Sequence, residues 1–287
     1  MRNVLETVAK VLDHDVSILI AGESGVGKDY LAESIHATSR RASEPFVHIE
    51  CASIPPELFE SELFGHERGT FTDAHTRKVG RLEAAGRGTV YFDEIAALTP
   101  ALQAKLLRVI QERRFTRLGG GAPLRFDARV VSSSNADLNA LLAAGTLRRD
   151  FYYRINVVTI ALPPLRERAE DILPLAKRFL GKRKLAKDAE RLLTSYAWPG
   201  NVRELRNAIE HAMLIEDGER ITAASLPIAD EDLIATAARG AWTLDELESH
   251  YIREVLRRTR DNYSRAAEIL GINRKTLLEK RRKYGLE

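Results

Sequence analysis

The chain has 287 residues, 44% hydrophobic and 30% charged, with a formal net charge of +3 and a single cysteine, Cys51. This is the composition of a folded chain with a sizeable core; it excludes a disulfide-stapled secreted scaffold and a low-complexity segment. No apolar run approaches the roughly 20 residues of a membrane span and no signal peptide opens the chain, so a reducing cytoplasm is expected and Cys51 reads as a small core residue. The positive excess is local: residues 242–287 hold 11 Lys and Arg against 8 Asp and Glu, and the remainder is neutral. Any nucleic-acid contact is therefore expected at the C-terminal end.

In chain order, residues 1–14 predict an amphipathic helix with Val4, Leu5, Val8, Val11 and Leu12 on one face. The apolar run 16–21 predicts a buried strand, and helix formers occupy 30–35. Between them lies Gly22-Glu23-Ser24-Gly25-Val26-Gly27-Lys28-Asp29. Strand, glycine-rich turn and helix form the context of a phosphate-binding loop. The glycines let backbone N–H groups close around phosphate oxygens, the helix start adds orphan donors, and Lys28 supplies a point charge for the β- and γ-phosphates. Asp29 stands where a Ser or Thr hydroxyl usually meets Mg²⁺.

Further strands are predicted at 46–49, at 89–92 ending on Asp93-Glu94, at 129–134 ending on Asn135, and at 157–162, with a helix over 102–111. Strands alternating with helices define an α/β domain, a parallel sheet covered on both faces, expected over 1–164. Asp93 at the carboxyl end of such a strand can hold Mg²⁺ directly or through water, and Glu94 can polarise an attacking water. Alone, the pair would read as a solvated strand end; the phosphate loop on an earlier strand favours the chemical role. His66-Glu67 hints at a zinc-protease helix, but position 70 is Thr, so that reading fails.

After Pro163-Pro164 the strands stop. Helices are predicted at 171–180, 189–196 and 202–214, the last two broken by Trp198-Pro199-Gly200, giving a helical subdomain over 165–226. Residues 227–241 read as a linker, and 242–287 as a small helical domain. There, a short helix is followed by Gly271, Asn273 can cap the next helix, and that helix carries Arg274, Lys275, Lys280, Arg281, Arg282 and Lys283 against Glu279. This is a helix-turn-helix pattern with a basic second helix. Arg274, Lys275 and Thr276 at its start are expected to reach base edges, and Lys280, Arg281 and Arg282 to meet phosphates. The bland alternative is a solvated basic face.

With these residues placed, the chain resembles the bacterial sigma-54-dependent transcription activators, the enhancer-binding family of AAA+ ATPases. The likeness rests on the loop from Gly22 to Asp29, on Gly88-Thr89-Val90-Tyr91-Phe92-Asp93-Glu94-Ile95, which resembles the family's Walker B strand, and on Ser61-Glu62-Leu63-Phe64-Gly65-His66-Glu67-Arg68, which leads into the family's GAFTGA loop. Trp198-Pro199-Gly200-Asn201-Val202-Arg203-Glu204-Leu205 is close to a family signature by itself. The resemblance implies an AAA+ core, a helical lid and a Fis-type DNA-binding domain, with ATP and Mg²⁺ bound. It implies further that Asn135 is a sensor residue, that Arg148 and Arg154 are arginine fingers acting on a neighbouring subunit's ATP, and that Arg203 reaches the nucleotide from the lid. Gly119-Gly120-Gly121 falls in what resembles the hairpin supporting the sigma-contacting loop. The implied partners are enhancer DNA, sigma-54 RNA polymerase and further copies of the chain in a ring, usually a hexamer; no membrane is implied.

Three departures stand out. The loop hexapeptide is Gly69-Thr70-Phe71-Thr72-Asp73-Ala74, retaining Phe71 and Thr72 but adding bulk at Thr70 and charge at Asp73. Glu50 stands where the family has an asparagine that switches the Walker B glutamate, and two facing carboxylates would repel or share a proton. No receiver or ligand-sensing segment precedes the ATPase domain, so control comes in trans or the chain is a fragment. The first reading is a sigma-54-dependent activator that remodels the closed polymerase complex by ATP hydrolysis. The alternative is a DNA-binding regulator that does not act through sigma-54; an AAA+ remodeller of another protein would leave the basic helix-turn-helix unexplained.

Overall fold

The computed structural model describes residues 2–70, 75–228, 242–259 and 262–285. Phe71, Thr72, Asp73 and Ala74, and most of the expected linker, lie outside the described residues. The chain divides into two compact units, Met1–Leu226 and Pro227–Glu287.

The first unit is built on a five-stranded parallel sheet: β1 Ile18–Ala21, β2 Phe46–Glu50, β3 Thr89–Asp93, β4 Arg129–Ser134 and β5 Val158–Ala161, in the order β2-β3-β4-β1-β5. The central β4 is buried along its whole length, and β1 and β3 nearly so. Such continuous burial is what a parallel sheet covered on both faces requires. Helices α1 Arg2–Val11 and α2 Lys28–Thr38 cover one face, where Val4, Val11, Leu31 and Ile35 pack on Ile18, Ile20, Tyr91 and Ile160. Helices α3 Pro56–Phe64, α4 Pro100–Glu112 and α5 Arg149–Ile155 cover the other, around Leu19, Ile49, Phe92 and Val130.

Several element ends differ from the sequence expectation for identifiable reasons. Helix α1 stops at Val11 because the buried guanidinium of Arg129 takes the carbonyls of Val11 and Leu12, at 2.6 and 3.2 Å. Helix α4 begins two residues earlier than periodicity indicates, since Thr99 caps the Leu102 N–H and Pro100 fits the first turn. Helix α5, seven residues long, is too short to be recognised by periodicity.

The lid of this unit comprises α6 Ile172–Leu180, α7 Lys187–Ser195 and α8 Asn201–Ile215. Trp198 is fully buried between them, its indole N–H donating to the Leu193 carbonyl at 2.8 Å, with the Tyr196 ring edge-on at 5.0 Å. Burying a tryptophan whose polar handle is satisfied supplies several kcal/mol, of order 3–5 on truncation to alanine.

The second unit contains α9 Leu244–Arg258, α10 Tyr263–Ile269 and α11 Arg274–Lys283. Ile252, Val255, Leu256, Ala266, Ala267 and Leu277 form its core, the two alanines allowing close helix approach. Gly271 takes the left-handed conformation, φ 66°, between α10 and α11, and Asn273 accepts from the Thr276 N–H at 2.8 Å to cap α11. Among the described residues no helix is long and apolar enough to cross a membrane.

Candidate nucleotide-binding and nucleic-acid-binding sites

The strand order brings the carboxyl ends of β1, β3 and β4 side by side, and the chemistry-bearing residues emerge there. Residues 22–27 turn from β1 into α2, with Gly25 and Gly27 at φ 73° and 102°. At Gly25 a Cβ would also lie 2.4 Å from the Gly200 carbonyl oxygen, so only glycine fits between loop and lid. Lys28 is buried, and its ammonium donates to the carbonyls of Gly22 and Glu23 at 3.0 and 3.1 Å. Burial lowers its pKa, opposed by the nearby charges of Glu94, Asp93 and Asp29. A loop with left-handed glycines at a helix start, closed on a lysine, has the donor set that a triphosphate requires.

Asp93 and Glu94 end β3 and are held by two residues that sequence reasoning did not single out. Ser133 donates to Asp93 Oδ1 and accepts from the Glu94 N–H at 3.0 Å. Ser134 donates to Glu94 Oε1 at 2.9 Å, and the Asn135 backbone N–H donates to Glu94 Oε2 at 3.1 Å. The only signal for these serines was their polarity at the carboxyl end of a strand that is buried throughout. The Asn135 side chain is exposed at the strand end. Glu50 lies opposite Asp93 in the strand register, yet accepts from Ser53 Oγ at 2.8 Å. In this conformation Glu50 and Glu94 each have a hydroxyl partner of their own, Ser53 and Ser134. Cys51 is buried, which pushes its thiol up to about 12 and makes it a poor nucleophile.

The lid closes on the phosphate loop through the signature around Trp198. Asn201, fully buried at φ 54°, accepts from the Leu165 N–H at 2.7 Å and donates to Glu23 Oε2 and the Ser24 carbonyl, both at 3.1 Å. Arg203 donates from its backbone to the Gly25 carbonyl and from its guanidinium to Ser24 Oγ, both at 3.2 Å. Arg166 grips Glu23 with two bonds, 2.9 and 2.6 Å, and Arg168 donates to the Val26 carbonyl at 2.8 Å. The Arg166 guanidinium first, and the Asn201 amide second, hold the Glu23 carboxyl down at about 2. A cleft of about 520 Å³ opens among Ser24, Asn135, Pro199, Gly200, Arg203 and Asn207.

Arg148 precedes α5 and Arg154 lies in its last turn, both exposed. Arg148 forms a two-bond pair with Asp150 at 3.1 and 2.8 Å, and Arg154 donates to the Ile110 carbonyl at 3.2 Å. Neither reaches the chain's own phosphate loop through these contacts. Thr70, the described end of the hexapeptide with Gly69, is tied down: its hydroxyl lies 2.6 Å from the Glu67 carbonyl and 3.0 Å from that of Leu118. Gly119, at φ 70°, leaves room for it, since a Cβ there would lie 2.3 Å from Thr70 Oγ1. Arg117 braces the same region by pairing with Glu67 and Glu83.

On α11, Arg274, Lys275 and Arg282 are exposed. Thr276 is half-buried and its hydroxyl donates to Asn273 Oδ1 at 3.0 Å, so it serves the cap. Lys280, expected among the phosphate contacts, instead pairs with Glu248 of α9 at 2.7 Å, and Lys283 pairs with Asp245 at 2.9 Å. The Arg281 guanidinium lies over the Tyr263 ring, 5.2 Å from its centroid.

These features define an AAA+ P-loop ATPase domain with a helical lid, followed by a helix-turn-helix unit. The chain belongs to the family of the sigma-54 interaction domain: the model described as "Sigma-54 interaction domain" matches residues 1–161, "AAA+ ATPase lid domain" matches 166–236, and "Bacterial regulatory protein, Fis family" matches 243–284. It is 42% identical over 308 residues to the regulatory protein AtoC of Escherichia coli (strain K12), covering 100% of this chain and 66% of that protein. It is 44% identical over 293 residues to the transcriptional regulatory protein ZraR of Klebsiella oxytoca, covering 98% and 66%. The chain thus spans just under two thirds of the length of these curated relatives. The crystal structure of NtrX from Brucella abortus in complex with ATP is similar at 37% identity and a TM-score of 0.72, over 99% of this chain and 67% of that one. A complex of the same protein with ADP matches at 35% identity and a TM-score of 0.73.

Proposed function

We infer that this chain is the ATP-hydrolysing and DNA-binding part of a sigma-54-dependent transcription activator working in the cytoplasm. The observation that carries the reading is the convergence of the phosphate loop, the Ser133- and Ser134-held pair Asp93-Glu94, and Arg203 at one edge of the sheet, in a chain of the sigma-54 interaction family. The loop donors and Lys28 bind the triphosphate of ATP. Mg²⁺, when bound with it, would supply positive charge that offsets the charge of the phosphates. Asp93 would hold that ion, with Asp29 facing it across the loop start. Glu94 orients and polarises the attacking water, and Ser134 keeps its carboxylate turned toward the β4 end. Arg203 carries the lid's response to the nucleotide, through Ser24 and the loop backbone.

Arg148 and Arg154 are exposed on a helix that does not serve the chain's own loop, which supports a role toward ATP held by a neighbouring copy in a ring, a hexamer by family likeness. Residues 69–74, with Phe71 and Thr72, make the sigma-54 contact, and Arg274, Lys275 and Arg282 lead the contact with enhancer DNA. Transcription in vitro from a sigma-54 promoter tests the whole reading. Open complexes should form with ATP, but not with a non-hydrolysable analogue or with Glu94→Gln protein that still binds ATP. Activation that is indifferent to hydrolysis would refute it and leave a DNA-binding regulator independent of sigma-54.

A further inference from the structure

Beside the phosphate loop, Asp29 from the first turn of α2, His48 from the middle of β2 and Asp93 at the end of β3 converge. One potential ligand atom of each lies within 4.8 Å of the other two. The sheet register produces this meeting. His48 sits opposite Tyr91, the two rings 4.9 Å apart on the face that α2 covers. The Tyr91 hydroxyl then extends past His48 to Asp29 Oδ1 at 2.8 Å and Asp93 Oδ1 at 3.1 Å. Its single proton can satisfy only one of these carboxylates at a time.

A second observation is independent of the carboxylates. His48 Nε2 is buried and has no hydrogen-bond partner. Buried polar atoms without partners are uncommon in folded proteins and usually mark a water, an ion or a functional group. Here the ring lies next to two acids, while Lys28, whose charge also acts on those acids, is engaged by the Gly22 and Glu23 carbonyls.

We propose that Asp29, His48 and Asp93 form a binding site for a first-row transition-metal dication, of the Mn²⁺ or Zn²⁺ type, which the chain takes up without nucleotide. Two carboxylates alone would suit Mg²⁺ or Ca²⁺; an imidazole nitrogen shifts the preference toward transition metals. Bonds of about 2.0–2.2 Å put neighbouring ligand atoms roughly 3 Å apart, so small side-chain rotations close the site around the ion. The site shares Asp93 with the proposed nucleotide chemistry but does not depend on it.

The test uses the full chain, free of nucleotide, titrated with Mn²⁺ while the electron paramagnetic resonance signal of the free ion is followed. One Mn²⁺ should bind per chain, be displaced by Zn²⁺ at comparable concentration, and resist a hundredfold excess of Mg²⁺. Pulsed measurements should show nitrogen coupling from a coordinated imidazole. His48→Ala should weaken binding at least tenfold, Asp29→Asn should weaken it as well, and His48→Gln should abolish the nitrogen coupling, with circular dichroism showing each variant folded. Absence of nucleotide-free binding, an affinity unchanged in His48→Ala, or bound Mn²⁺ without nitrogen coupling would each overturn the proposal. ATP turnover of the parent protein is measured separately. Lost turnover with intact Mn²⁺ binding faults the hydrolysis reading and supports this one; the converse faults this one alone.

Discussion

Two adjacent serines on β4 divide their work. Ser133 bridges the Asp93 carboxylate and the Glu94 N–H, whereas Ser134 donates to the Glu94 carboxylate and accepts from the Ala136 N–H at 3.1 Å. Ser134→Ala therefore releases one oxygen of Glu94, the proposed water-polarising group, without touching the phosphate loop. Misplacing a catalytic group by about 1 Å can cost on the order of 10²-fold in rate. Steady-state kinetics should show kcat falling by about that factor with KM for ATP little changed; a rise in KM alone would mean that Ser134 serves binding instead. Glu23 gives a pH prediction. Its folded pKa of about 2 lies below the usual 4.5, so its tie to Arg166 and Asn201 contributes fully above pH 4.5. That contribution fades as pH falls through about 2, and it is modest because the Arg166 and Glu23 side chains are 45% and 43% exposed to solvent. A carbon-detected NMR titration should find the midpoint near 2; a midpoint near 4.5 would show that the lid does not hold this carboxylate in solution.

At the scale of elements, the short hairpin 114–125 meets the approach to the proposed sigma-contacting loop edge to edge. The Leu118 N–H donates to the Gly65 carbonyl and the Glu67 N–H to the Leu118 carbonyl, each at 3.0 Å, and the Thr70 hydroxyl adds a side-chain tie to the same carbonyl. The bulk that Thr70 brings to the hexapeptide is accommodated by Gly119. Thr70→Val keeps the shape and removes the hydroxyl, at about 1 kcal/mol for a typical hydrogen bond. Amide hydrogen exchange at residues 65–70 and 117–119 should quicken by roughly fivefold, the equivalent of that energy. Unchanged exchange would mean that the backbone ladder alone sets the loop base.

At the scale of the molecule, the two units divide the tasks: the sheet unit holds the phosphate loop, and residues 242–287 of the second unit carry an excess of positive charge, 11 Lys and Arg against 8 Asp and Glu. Pairing of Lys280 with Glu248 and of Lys283 with Asp245 means that part of this charge is spent inside the unit, in fixing α11 against α9. DNA binding should weaken with salt, with a logarithmic slope of about 0.9 per phosphate neutralised. Arg282→Ala should reduce that slope by close to one contact, whereas Lys280→Ala should act chiefly on thermal stability. Equal loss of slope in both would show that Lys280 leaves Glu248 for the phosphate. Filter binding or fluorescence anisotropy across a salt series separates the cases.

The sequence by itself determined the phosphate loop, the five strands, the helical lid and the helix-turn-helix. Each is written in contiguous residues, as strand runs, glycine spacing, a Trp-Pro-Gly break or a capped basic helix. Tertiary structure alone decided which distant residues meet. Placing β4 between β3 and β1 hands Ser133 and Ser134 to acids 40 residues away. Lid folding turns Trp198 to Arg203 from a helix break into a clasp on Glu23, Ser24 and Gly25, across separations of 177 to 179 residues. The same holds for Lys280, neutralised from 32 residues away, and for His48, which became notable only beside Asp29 and Asp93. Local periodicity records which face of an element is buried; strand order and register, set by how the apolar faces pack together, choose the polar partners.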